Sequence, residues 1–159
     1  MEQPALPSEA FPPLYVAVGE LVVNWAMAES AINAIIAIIY QSAGGKHINP
    51  IIPVAFKRKM KFLRLCFKNV DALRRNILQK ASDITFIRNA VIHGAVSDFK
   101  PESGKYTFTK LDVVDNSTFH QANSVITKLS DLRGATIDAQ NITAAAQAFS
   151  NRLMDAFVR

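Results

Sequence analysis

From Leu14 to Tyr40 the chain is predominantly apolar, interrupted by Glu20, Asn24, Glu29 and Asn33 at intervals of four or five residues. This spacing predicts one long helix from Pro12 or Pro13 to Tyr40, because proline is tolerated in a first turn and Gly44-Gly45 can end the helix. The run is about long enough to cross a bilayer. Charges and amides that frequent are costly in hydrocarbon, so a helix covered by neighbours on most sides is the better reading.

Gly44 to Pro53 carries Gly-Gly, Asn-Pro and a further Pro, and reads as a loop before a second helix over about Val54 to Asn69. Asp71 is a plausible N-cap for a third helix reaching His93 or Gly94. The period then changes from helical to two: Tyr106, Phe108, Lys110 and Asp112 alternate with Thr107, Thr109, Leu111 and Val113, after a Pro-Glu-Ser-Gly turn. Strands are expected over Ala95 to Lys100, Lys105 to Val114 and, more weakly, Thr118 to Ile126, giving a β-hairpin or small meander. Ser130 or Asp131 caps a last helix, in which Ile137, Ile142, Ala145, Phe149, Leu153 and Phe157 keep a period near 3.6. The expected fold class is mainly all-α, a single domain over 1–159 with a loose arm at 1–12 and a β insertion at 95–127.

Half of the 159 residues are hydrophobic, which is enough for one sizeable core and too much for a disordered chain. The single cysteine, Cys66, excludes an internal disulfide. No ligand spacing links it to His47, His93 or His120, so no metal or cofactor is expected. Met1 to Pro13 is acidic and Pro-containing, unlike a signal peptide, and a reducing cytoplasm fits.

Charge is uneven. Lys57, Arg58, Lys59, Lys61, Arg64, Lys68, Arg74, Arg75 and Lys80 supply nine of the eighteen basic residues against one acid, Asp71, a local +8 in a chain of net +5. Such a cluster is the footprint of a polyanion-binding face, and Phe56, Phe62 and Phe67 lie within it. The competing reading is a solvated helix face with its aromatics in the core. On the polyanion reading Lys57, Arg58, Lys61, Arg64, Arg74 and Arg75 bind RNA.

The chemistry concentrates in Phe86-Ile87-Arg88-Asn89-Ala90-Val91-Ile92-His93-Gly94. An arginine can orient and neutralise a phosphate, and a histidine moves protons near neutral pH. At about 100° per residue, Arg88 and His93 lie about 140° apart on one helix, so two crossing copies would aim them at one phosphate more easily than one copy. Ile84, Ile87 and Val91 mark one face of this helix, and Phe86, Asn89 and His93 mark nearly the opposite one. A second packing partner, such as the same helix of a symmetric mate, would cover that second face.

The run resembles the R-x4-6-H signature of the HEPN superfamily, small helical dimers that include many ribonucleases acting as toxins or defence effectors. The resemblance implies an up-and-down four-helix bundle, a homodimer, and metal-independent endoribonuclease activity at a composite site on the dimer axis. On it, Arg88 holds the scissile phosphate, His93 acts as general base or acid, and Asn89 fixes the imidazole or binds a phosphate oxygen. A toxin of this kind implies a neutralising partner protein, such as a nucleotidyltransferase-like antitoxin. The Trp25-Ala26-Met27-Ala28-Glu29 run looks like the first helix of several such families. Glu29 is thus a supporting residue that pairs with Arg88 or simply forms a structural ion pair. Two alternatives keep different parts of this picture: a non-catalytic dimeric module binding a nucleotide, RNA or a protein, and a nucleic-acid binder that uses the basic helix alone.

Overall fold

The computed structural model describes residues 8–68, 74–113 and 120–158. The chain is mostly helical, with a three-stranded antiparallel sheet before the last helix. After a short turn at Ser8–Ala10, α1 runs Phe11–Ser42 and α2 Gly45–Ile48, followed by α3, Phe56–Cys66. A π-helical segment, Arg74–Gln79, leads into α4, Lys80–His93. Strands β1 (Ala95–Lys100), β2 (Lys105–Val113) and β3 (His120–Lys128) come next, and α5 spans Leu129–Val158. The expected cap at Asp71 lies outside the described residues.

Two compact units are present: Met1–Val23 with Ile84–Ile137, and Asn24–Asp83 with Asp138–Arg159. The division is also one of charge. The second unit has twelve Lys and Arg against five Asp and Glu, net +7, whereas the first has six against eight, net −2.

α1 shows why its sequence reads as apolar on every side. Leu14, Ala17, Leu21, Trp25, Ala28, Ile32, Ile35 and Ile39 are buried at three- and four-residue steps, each large aliphatic contributing about 1.5–3 kcal/mol. Tyr15, Val16, Val23 and Met27 are exposed on its other side. With its leading turn, Ser8–Ser42 is long and apolar enough to cross a membrane.

In the first unit, β2 pairs with both neighbours in the register Phe108↔Val96 and Phe108↔Val125, with a bulge between Val96 and Asp98. Tyr106 and Phe108 point inward and are buried. The Tyr106 hydroxyl donates to the Ala10 carbonyl at 2.8 Å and its ring stacks on Phe99. On the outer face a hydroxyl ladder, Ser97 to Thr109 at 2.8 Å and Thr109 to Ser124 at 3.0 Å, crosses all three strands. α5 opens at Leu129, so Asp131 is its third residue and not its N-cap. Its carboxylate reaches back to accept from the Lys128 backbone N–H at 2.9 Å, the return half of a capping box.

In the second unit, Phe56 packs edge-on to Trp25, Phe62 lies against Tyr40, and Phe67 meets Phe149 edge-on. The three aromatics of the basic stretch therefore serve packing. Buried Thr143 on α5 satisfies its hydroxyl by donating to the Ala139 carbonyl one turn back, at 3.0 Å.

Candidate functional site

Arg88 and His93 sit on different sides of α4, and the helix explains their unlike environments. Arg88 lies toward Ala81, Ile84 and Val91, which are buried, so its stem is drawn in and the residue is half-buried. Neighbouring residues on a helix do not normally face each other. Here the long arginine arm bends sideways, and its Nη1 donates to Asn89 Oδ1 at 2.8 Å. Arg88 Nε is buried and has no hydrogen-bond partner among the described residues. An uncompensated buried guanidinium donor costs about 1–3 kcal/mol, and an arriving anion would remove that cost.

His93 is the last residue of α4 and is exposed. The chain turns there from helix to strand within one residue, because Gly94 N–H bonds to the Ala90 carbonyl at 2.9 Å and β1 starts at Ala95. A Cβ on Gly94 would lie 2.4 Å from that carbonyl oxygen and 3.4 Å from Phe108 Cβ. Glycine at this junction thus sets where the imidazole projects.

The second face of α4 meets the chain's own sheet. Asn89 and Ala90 line a cavity of about 310 Å³ with Phe108, Lys110 and Val125, and Phe86 stands at its edge with 67% of its surface exposed. On this face Ala90 is buried within the chain itself, while Phe86 and His93 remain exposed. The cavity is not legible from the motif, which gives no hint of strands two dozen residues further on.

No family model, curated protein or solved structure matches the chain.

Glu29 accepts the Lys59 ammonium at 2.8 Å, and Lys59 is itself buried. Glu29 thus makes a structural ion pair with Lys59 and does not orient Arg88, whose guanidinium goes to Asn89. Lys80 pairs with Asp138 at 2.9 Å, which removes a second cation from the basic stretch. Lys57, Arg58, Lys61 and Arg64 remain exposed within about 120° of the α3 surface, opposite buried Met60, Phe62 and Leu63. Arg64 also donates to Ser82 Oγ at 3.3 Å. The side chains of Arg74 and Arg75 lie outside the described residues, as does that of His120. Burial pushes the Cys66 thiol above its ordinary pKa, the reverse of what an activated nucleophile needs. No group of three His, Cys, Asp or Glu suited to a metal ion occurs among the described residues.

Proposed function

We propose that this chain is a metal-independent endoribonuclease of HEPN type, built on an up-and-down four-helix bundle and acting as a cytoplasmic homodimer. The observation that carries the reading is the Arg88–Asn89 pair, with a buried Nε that has no partner among the described residues, followed by an exposed His93 five residues on in the same helix. Arg88 holds the scissile phosphate and offsets the charge that grows on its oxygens, and Asn89 holds Arg88. His93 takes the 2′-hydroxyl proton while water protonates the departing 5′-oxygen, or water takes the first proton and His93 gives the second. The 2′-oxygen bonds to phosphorus as the P–O5′ bond breaks, leaving a 2′,3′-cyclic phosphate and a 5′-hydroxyl. Because Arg88 and His93 diverge around α4, the site takes one group from each of two copies.

RNA is attracted by Lys57, Arg58, Lys61 and Arg64, and the +7 balance of the second unit makes binding salt-dependent. A toxin or defence role, restrained by a neutralising protein such as a nucleotidyltransferase-like antitoxin, fits such an activity. The second reading is a non-catalytic dimeric module that binds a nucleotide, RNA or a protein. It is favoured by the half-burial of Arg88, which suits holding an anion as well as cutting one. Incubating total RNA with wild type and His93→Ala in excess chelator separates the two. Cleavage that needs His93 supports the ribonuclease, and its absence from the wild type supports the module.

A further inference from the structure

The cavity between α4 and the sheet has a use that the cleavage chemistry leaves open. We propose that it holds one nucleobase of a single-stranded RNA, beside the phosphate handled by Arg88 and His93; this rests on the ribonuclease reading of the motif. Its volume, about 310 Å³, is at the lower end of the roughly 300–1,000 Å³ of small-ligand pockets and suits a single ring system. Buried Ala90 and Phe108 supply apolar lining. Phe86, 67% exposed on α4, also lines it, as a ring on which a base can stack.

The polar groups are of the type that reads a base edge. Asn123 lines the cavity from β3 and Asn89 from α4; a carboxamide carries both donors and an acceptor, and with its Oδ1 holding Arg88, Asn89 keeps its Nδ2 donors for a base. Lys110 is directly opposite Asn123 in the β2–β3 register and adds one cation at the same wall. Among the described residues no carboxylate lines the cavity, as suits an uncharged ring attached to a phosphate. Asn89 also belongs to the arginine clamp, and His93 lies one turn beyond it on the face that carries Phe86. A base seated here therefore brings its own backbone to the motif.

The test is binding of the full chain to 2′-O-methyl tetranucleotides, which lack the attacking hydroxyl, against the same oligomers with one base removed. Fluorescence anisotropy at one fixed salt concentration reads the affinity. Stacking of one base corresponds to a drop of about ten-fold or more for the abasic oligomer with wild type. Phe86→Ala should bind both oligomers equally weakly, and Phe86→Tyr should restore the difference. Equal wild-type affinity for the two oligomers would overturn the proposal. So would Phe86→Ala that keeps the base dependence and instead dissociates a dimer. The reaction fails separately: base-dependent binding without cleavage of RNA leaves the cavity standing, while cleavage with base-independent binding leaves only the ribonuclease.

Discussion

Arg88 Nη1 donates to Asn89 Oδ1 at 2.8 Å, so the cation of the motif is held by its own neighbour. If Asn89 acts by holding Arg88, Asn89→Ala should lower cleavage about ten-fold, less than the 10²–10³-fold expected for removing a charge-stabilising donor in Arg88→Ala. The double variant should be no slower than Arg88→Ala alone. Single-turnover rates on one short RNA give all three values.

Gly94→Ala tests the helix-to-strand junction. The added methyl would meet the Ala90 carbonyl at 2.4 Å, so the end of α4 must shift, at about 1–3 kcal/mol. Chemical denaturation should show that destabilisation. Cleavage should fall further than stability explains, because the imidazole of the preceding residue moves with the backbone.

Glu29 and Lys59 should behave as a coupled pair. Lys59→Met leaves a partly buried carboxylate without its cation and should cost about 1–3 kcal/mol, whereas adding Glu29→Leu should recover much of it. Were Glu29 instead to serve Arg88, Glu29→Leu would change the cleavage rate more than the stability. A double-mutant cycle in denaturant and one in cleavage decide between them.

Stability should fall at alkaline pH through Tyr106. Burial raises its pKa above the ordinary phenol value of 10.0, and only the protonated phenol donates to the Ala10 carbonyl. The folded state thus favours the neutral form, and its contribution is complete below the unfolded pKa and disappears as pH rises through the higher folded value. Tyr106→Phe should cost about 1 kcal/mol at neutral pH and flatten the decline above pH 10. Urea midpoints from about pH 8 to about pH 11 read both effects.

Reversing Lys57, Arg58 and Lys61 together should abolish RNA binding at moderate salt and leave the fold intact, since all three are exposed. The log–log salt slope should shrink by about 0.7 for each phosphate that is no longer neutralised. Reversing buried Lys59 should instead unfold the protein.

Much of the fold is legible in the sequence because its signals are local. The proline-to-glycine frame of α1 and the alternation that makes β2 predict those elements to within two residues. Asp131 is ambiguous by sequence because Ser130 and Asp131 are both good caps, and only the start at Leu129 assigns it to the third position. Tertiary choices are not encoded locally. Glu29 has more than one basic candidate along the chain, and packing selects Lys59. The ring contacts of Phe56, Phe62 and Phe67 likewise depend on α1 and α5. The motif itself is visible in the sequence, while the cavity beside it joins residues 86–90 to residues 108–125 and exists only once β2 and β3 pair.

The most direct test is to incubate RNA in excess chelator with wild type, Arg88→Ala, His93→Ala and an equimolar refolded mixture of the two variants, reading fragment ends. The account predicts 2′,3′-cyclic phosphate ends from the wild type, about a hundred-fold fewer or less from either variant alone, and partial recovery in the mixture, where one intact composite site can form. Cleavage by His93→Ala at the wild-type rate, or none by the wild type at high concentration and low salt, would contradict it.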